Sequence, residues 1–483
     1  MKILHISAEC YPAAKAGGLG DVAGALPKYL NDVGMETGVV MPRYHTRWLN
    51  EQSFTPVYKG AVRLHLHYVP FSIEKIYGDP LGFPLYVVNV PYMFDRPGIY
   101  IDPGTGEGYG DNLQRYLVFQ QAVLQWILHA PGKPALLHCH DHHTGLIPFF
   151  IKYAPEYQAL ADIPTVFTIH NGEYHGSFSW ENMYLLPYFL GSARGLLDWS
   201  NLINPLATGI KTSWRVTTVS PTYLQELMQH SNGMEWLLQH ERYKSVGILN
   251  GIDTKVWDPE TDRYIVHHLI DNDWEDFKQS NKQALLQAFS FDPALPLITF
   301  IGRLAREKGG DMLPDLIQRV LSSGMQVNIL VLGTGDSRTM DRLNQLSHQF
   351  RGRFDVALQY NESIAHQLYA GSDFIFMPSR VEPCGLNQMY AMRYGTIPIV
   401  RTVGGLKDTV IDIGMPDGSG RGIRFDQFSV EDAHHAVYRA LELYHQPEVF
   451  RKLRENISAL DFSWEQSARQ YRDIYESLIS FAV

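Results

Sequence analysis

The sequence predicts an α/β chain made of two doubly wound, Rossmann-like halves. Three observations carry this reading. Short β-branched and aromatic runs alternate with segments of helical spacing along the chain. Several of these runs stop at Gly-, Asn- or His-containing loops that lead into a helix, as the turns of a parallel sheet do. And 483 residues divide naturally into halves of roughly 200–250 residues.

Hydrophobic residues make up 45% of the chain and charged residues 19%, the balance of a folded globular enzyme rather than a disordered chain. A net charge of −10 argues against nucleic acid as a partner, so any phosphate must be handled by local cations. Cys10, Cys139 and Cys384 are too few and too scattered for a disulfide framework or a zinc site, which points to a reducing compartment. The start of the chain runs straight into a strand without a signal-type apolar core. No apolar run approaches the roughly 18 residues of a membrane span, so a cytoplasmic protein with no membrane partner is expected.

The first strand, 2–7, ends at Ala8-Glu9-Cys10-Tyr11-Pro12 and is followed by Lys15-Ala16-Gly17-Gly18-Leu19-Gly20-Asp21 at the entry of a helix over 23–32. Glycines at such a turn let backbone N–H groups approach an anion, and Lys15 adds a positive charge. The second strand is 37–42. Apolar alternation at Val62, Leu64, Leu66 and Tyr68, then Leu85 and Val87, predicts further strands, some antiparallel. The Gly-, Asp- and Tyr-rich stretch 94–111 reads as an exposed, mobile loop, and 112–129 as a helix.

The next strand, 135–139, ends in His138-Cys139-His140-Asp141-His142-His143, the densest histidine cluster in the chain. Alternate strand residues point to opposite faces, so no set of three ligands is expected to converge and no metal is assigned. Strand 165–169 ends in His170-Asn171-Gly172, residues 180–188 read as a cap or surface helix, and 215–220 closes the first half.

In the second half, helix 274–288 precedes strand 297–301, which ends in Gly302-Arg303-Leu304-Ala305-Arg306-Glu307-Lys308-Gly309. Strands 326–332 and 354–358 follow, the latter leading to Tyr360, an aromatic face suited to stacking. Asp373 reads as a cap or turn residue. Strand 374–377 then hands over through Ser379-Arg380-Val381-Glu382-Pro383-Cys384-Gly385-Leu386 to a helix at Asn387, and strand 396–400 to Thr402-Val403-Gly404-Gly405-Leu406. Glu382 and the amides after it thus sit at a strand-to-helix turn, where phosphate ligands bind in open α/β sheets. Apolar spacing at Trp464, Ala468, Tyr471, Tyr475 and Leu478 predicts a closing helix.

Taken in order, K-x-G-G-L-x-D from Lys15, the H-D and H-N strand ends, N-G-x-D from Asn250, G-R-L-x-x-x-K-G and E-P-C-G-L-x-Q resemble the signatures of the glycogen and starch synthases, retaining glycosyltransferases. The resemblance covers essentially the whole chain. It implies the GT-B architecture, two Rossmann-like domains facing across a deep cleft. The first domain would span 1–247, with 463–483 returning to it, and the nucleotide-sugar domain 248–462. It further implies transfer of glucose from ADP-glucose to an α-1,4-glucan with retention of configuration and without a cofactor. UDP-glucose as donor, or a non-catalytic glucan-binding protein of the same fold, are the alternatives.

By the same resemblance, His170 and Glu382 lie by the donor glucose, and Arg303, Lys308 and Lys15 serve the diphosphate. Tyr360 stacks on the base. Glu9, Gly17, Gly18, Asp21, Asp141, His142, Asn171, Asn250, Cys384, Gly385, Leu386 and Asn387 line the substrate sites. His142, where an aromatic is commoner, and Asn387, where a small hydroxyl residue is commoner, depart from the family pattern.

Overall fold

The computed structural model describes residues 2–359 and 361–482. Among these the chain forms two compact units, one from Met1–Val219, Leu224–Asn250 and Trp464–Val483, the other from Ser220–Tyr223 and Gly251–Ser463.

The strands of unit one are β1 (Lys2–Ile6), β2 (Glu36–Pro42), β3 (Phe54–Leu64), β4 (His67–Ile76), β5 (Leu85–Asn89), β6 (Leu136–His140), β7 (Thr165–Ile169), β8 (Asp198–Trp199), β9 (Leu202–Ile203), β10 (Arg215–Thr218) and β11 (Ser245–Gly247). Apart from the small β8–β9 ribbon they join in one sheet, in the order β11-β10-β7-β6-β1-β2-β5-β4-β3. It is parallel from β11 to β5, and β4 pairs antiparallel with β5 and β3. β6 and β7 are buried along their whole length, which is why they read as unbroken runs rather than alternating ones.

The closing helix, Trp464–Ala482, packs Trp464, Ala468, Tyr471, Tyr475 and Leu478 against Ile3, Leu136, Val166 and residues Val22, Leu26 and Leu30 of helix Gly18–Asp32. Burial of large apolar side chains of this kind contributes about 1.5–3 kcal/mol each, enough to fix the last helix of the chain on unit one.

Unit two contributes β12 (Leu297–Ile301), β13 (Asn328–Leu332), β14 (Phe354–Ala357), β15 (Phe374–Met377), β16 (Ile397–Arg401) and β17 (Ile423–Phe425). They form a wholly parallel sheet ordered β14-β13-β12-β15-β16-β17. Four of its helices start on side-chain caps: Asp273, Asp336, Asn361 and Ser429 each accept the N–H of the residue three further on. Replacing such a cap by alanine typically costs about 0.5–2 kcal/mol.

In four places the structure departs from the sequence reading. Strand 215–220 does not close the first half, because β11 follows β10 and pairs with it at the edge of the same sheet. The alternation through Leu66 and Tyr68 crosses a hairpin turn: His65 has φ 57°, and Leu66 and Tyr68 are exposed while Val62 is buried. The stretch 94–111 is exposed over 103–108, as expected, but it is also tethered. Buried Arg115 donates to the carbonyls of Met93 and Ile99, Arg96 pairs with Asp111 at 2.7 Å, and the Tyr100 hydroxyl donates to Glu9 at 2.7 Å. Asp373 accepts the Leu297 N–H at 2.8 Å but is also the buried centre of two ion pairs, with Lys282 at 2.6 Å and Arg454 at 2.5 Å. The hairpin is a local turn, whereas the tethers of 94–111 and the ion pairs of Asp373 come from partners distant in sequence that a local pattern does not name.

Candidate active site

In each sheet the strand order reverses at one seam, between β1 and β6 in unit one and between β12 and β15 in unit two. Loops leaving the carboxyl ends of such neighbouring strands part to opposite faces, opening a crevice for ligands. Most candidate residues lie on loops at these two seams; His170 and Asn171 follow the neighbouring β7, and Asn250 follows β11 at the edge of the sheet.

In unit one, the Glu9 carboxylate follows β1 and accepts the N–H groups of Ala16 at 2.6 Å and Gly17 at 3.0 Å, so two amides of the glycine turn already hold an anion. Burial raises its pKa against these hydrogen bonds. Lys15 is paired with Asp21 at 2.7 Å. A side chain added at Gly17 or Gly18 would meet open space, which leaves this face of the turn accessible to a ligand.

After β6, Asp141 adopts φ 55° and ψ 178°, a conformation that side-chain-bearing residues rarely hold. In that pose its carboxylate accepts the N–H of His170 at 2.7 Å and of Asn171 at 3.4 Å, fixing the turn after β7. Burial pushes its pKa up to about 7. His142 lies beside His143, ring centroids 3.8 Å apart, with its Nδ1 buried and without a hydrogen-bond partner among the described residues. Burial lowers its pKa to about 4. Asn250 is buried, and its Oδ1 likewise has no partner among the described residues.

Behind His170 stands a set of histidines that the sequence reading did not bring together. His138 and His140 are two residues apart and share a strand face, and the register of β1 on β6 sets His5 directly opposite His138. Ring nitrogens of His5, His138 and His140 lie within 4.8 Å of one another, so the expectation that three histidines would not converge is wrong. Strand period alone would have paired His138 with His140, and only the register adds His5.

Five of these six nitrogens are engaged in hydrogen bonds. His5 Nδ1 meets His140 Nε2 at 3.1 Å, and His140 Nδ1 meets His170 Nε2 at 2.9 Å. His138 bonds Tyr475 Oη and Thr168 Oγ1, both at 2.6 Å. His5 Nε2 is buried with no partner among the described residues. The arrangement costs least when that nitrogen is the bare lone pair rather than an orphaned N–H. His5 Nδ1 then donates to His140 Nε2, His140 Nδ1 donates to His170 Nε2, and His170 carries its proton on Nδ1. Burial drives His5 and His170 to about 3, and His138 and His140 well below the ordinary range, so the row is neutral.

Unit two presents charges instead. The Glu382 carboxylate receives Lys308 Nζ at 2.6 Å on one oxygen and the Ser379 hydroxyl at 2.8 Å on the other. Arg303, with a side chain 68% exposed, pairs with Glu307 at 2.6 Å. The two loops are locked together. Arg380 donates its N–H to Glu307 O at 2.8 Å and grips Asp311 through both terminal nitrogens. Gly309, at φ 72°, backs directly onto Pro378, where a side chain would lie 2.2 Å from the carbonyl.

The glycine pair after β16 closes on the same loop. Gly405 N–H donates to Glu382 O at 3.1 Å, and a side chain at Gly405 would lie 1.9 Å from Cys384 O. Cys384 is a buried thiol outside any disulfide, and Gly385 has φ 72°. Leu386 precedes helix Asn387–Arg393. The Asn387 amide donates to Ile301 O at 2.7 Å, bracing this helix on the end of β12. Tyr360 lies outside the described residues.

Comparison with known proteins supplies the family. Residues 2–240 match the starch synthase catalytic domain model, and residues 281–458 the model of glycosyl transferases group 1. Among solved structures, the catalytic domain of Starch Synthase IV from Arabidopsis thaliana, described as bound to ADP and acarbose, superposes with a TM-score of 0.87 at 30% identity over 99% of both chains. Sucrose-phosphate synthase from Thermosynechococcus elongatus shares the fold at 18% identity, with a TM-score of 0.62 over 99% of both chains. A glycogen synthase of Geobacillus thermodenitrificans is 36% identical over 99% of this chain and 98% of its own. One of Flavobacterium johnsoniae is 48% identical over 99% of both. Identity at that level from end to end, on two Rossmann-like units of the GT-B class, makes this chain a member of the glycogen synthase family of glycosyltransferases.

Proposed function

We propose that the chain transfers glucose from ADP-glucose to the non-reducing 4-hydroxyl of an α-1,4-glucan with retention of configuration. The observation that carries this reading is the braced Lys308–Glu382 pair at the β12–β15 seam. A relative described as bound to ADP favours adenine in the donor.

Breaking the glycosidic bond leaves growing negative charge on the diphosphate, which Arg303 and Lys308 take up, with Lys15 as the cation of unit one. Each of these cations rests on a carboxylate: Glu307, Glu382 and Asp21 respectively. Binding of the diphosphate exchanges or shares these partners, so the cations are held in place before the donor arrives. Glu382 lies by the sugar. His170 is neutral and presents its Nδ1 proton to a sugar oxygen, and Asp141 holds its backbone. A nucleoside diphosphate is a good leaving group, so no protonating carboxylic acid is needed.

Labelled glucose incorporation into glycogen, measured with ADP-glucose beside UDP-glucose, tests the reading. ADP-glucose is expected to be the faster donor by a wide margin, and incorporation from UDP-glucose alone would overturn the donor assignment. Three protein cations serve the diphosphate, so a chelator should leave the rate unchanged; abolition by chelation and rescue by a divalent ion would contradict that.

A further inference from the structure

Lys308 sits in a tight turn, and one side chain outside the candidate residues grips that turn on both flanks. Arg380 follows β15, two residues before Glu382. On the amino side of Lys308, its Nη1 donates to Arg306 O at 2.6 Å and its backbone N–H to Glu307 O at 2.8 Å. On the carboxyl side it forks onto Asp311, Nη1 to Oδ1 at 2.6 Å and Nη2 to Oδ2 at 2.8 Å. A bidentate, charge-assisted pair of this kind fixes direction as well as distance. The guanidinium beside it holds the Asp311 carboxyl below its usual range.

The clip is itself held in place. Its guanidinium lies over the ring of Phe428, 3.6 Å from the ring centre. Arg401 Nη1 donates to Ser379 O at 3.3 Å and to Arg380 O at 3.1 Å, tying the base of the clip to the end of β16. Glu382 has anchors of its own in the Ser379 hydroxyl and the Gly405 N–H. The Arg380 side chain therefore acts on the turn 306–311, from which Lys308 reaches Glu382 at 2.6 Å. The side chains of Arg380 and Asp311 are 27% and 46% exposed, so the pair adds little to stability and serves placement.

We propose that Arg380, together with Asp311, is a positioning residue for Lys308 and holds its ammonium where charge develops on the leaving diphosphate, an inference that rests on the glucose-transfer reading above. A misplacement of about 1 Å at a group that meets the transition state can cost on the order of 100-fold in rate. The test measures kcat and the KM for ADP-glucose, with glycogen as acceptor, for Arg380→Met, Arg380→Lys and Asp311→Asn. Each is made in the wild type and in Lys308→Ala, and the urea midpoint of every variant is recorded.

Arg380→Met keeps a long apolar arm but no fork, and is expected to lower kcat roughly 10–100-fold with a smaller change in KM. Arg380→Lys and Asp311→Asn should fall between it and the wild type, because neither retains both parallel bonds. In Lys308→Ala the same substitutions should change kcat by less than about 2-fold, since the group they hold is gone. Urea midpoints should stay near those of the parent chains. An undiminished kcat in Arg380→Met overturns the proposal, as does an equal loss with and without Lys308, or a loss that follows a falling urea midpoint. Wild-type kcat in Lys308→Ala is a different failure: it removes the leaving-group reading and, with it, the reason to hold Lys308.

Discussion

The two units solve the burial of polar groups at their strand ends in opposite ways. Behind β1, β6 and β7 the groups are imidazoles that burial keeps neutral, joined ring to ring from His5 through His140 to His170. Around β12 and β15 they are ion pairs, Lys308 with Glu382 near the surface at the carboxyl ends and, at the opposite amino ends, Lys282 and Arg454 with Asp373 in the interior. The difference matches what each seam is proposed to hold. A sugar hydroxyl is met by a neutral hydrogen bond of fixed direction, whereas a departing diphosphate needs charge already in place.

The largest effect expected from breaking this contrast is on stability. Asp373→Ala leaves Lys282 and Arg454 buried without their carboxylate, at a cost of about 3–5 kcal/mol. Urea unfolding of the variant checks this, and a change under 1 kcal/mol (about the upper value for an exposed pair) would mean that water reaches the site.

On the neutral side, His140→Leu strands His5 Nδ1 and His170 Nε2, a loss of about 1–3 kcal/mol for each group left unsatisfied. The same variant should change the protonation pattern of His170 in ¹⁵N spectra, because its tautomer is set through His140. An unaltered His170 signal would refute the relay.

A further effect is a pH dependence that differs between the units. His5 and His170 titrate at about 3 when folded, against an ordinary value near 6.5. Their stabilising contribution is therefore present above pH 6.5 and is lost as pH falls toward 3. Asp141, raised to about 7, acts in the opposite sense: its contribution is present below pH 4 and is lost as pH rises through 7. With His5, His138, His140, His142, His143 and His170 lowered against the raised carboxyls of Asp141, Glu9 and Asp21, unit one should weaken as pH falls from 6.5 to 4, and Asp141→Asn should steepen the loss.

Burial alone would raise Asp373, but the charges of Lys282 and Arg454 overcome it and hold its carboxyl below the usual range. Its contribution in unit two is accordingly lost only below about pH 4. Amide exchange in β1, β6 and β7 beside β12 and β15, followed across this range, reads the two trends separately. Equal slopes in both units would remove the contrast.

Much of this organisation is legible in the chain. Helices Asn112–His129 and Trp274–Ala288 and strand Phe374–Met377 fall where their spacing predicts, because each is a long amphipathic or a fully apolar run bounded by breakers. The strand-end motifs mark the seams. What the sequence does not reveal is partnership across long separations. His5 meets His140 over 135 residues, Asp373 meets Arg454 over 81, and Tyr100 reaches Glu9 over 91. Each depends on register or packing that no local pattern encodes. Glu9 is the clearest instance: the glycine-turn amides of Ala16 and Gly17, read as an open anion site, are held by the protein's own carboxylate.

The central claim is that the charged seam of unit two acts on the leaving group rather than on donor binding. Its most direct test sets kcat from saturation kinetics with ADP-glucose and glycogen beside the donor Kd from calorimetry, for Arg303→Ala and Lys308→Ala. Charge that grows in the transition state predicts a fall in kcat of roughly 10²–10³-fold, about 2.7–4 kcal/mol, with a smaller change in Kd. Wild-type kcat in both variants, with affinity alone reduced, would make these residues binding determinants and contradict the placement of the leaving group.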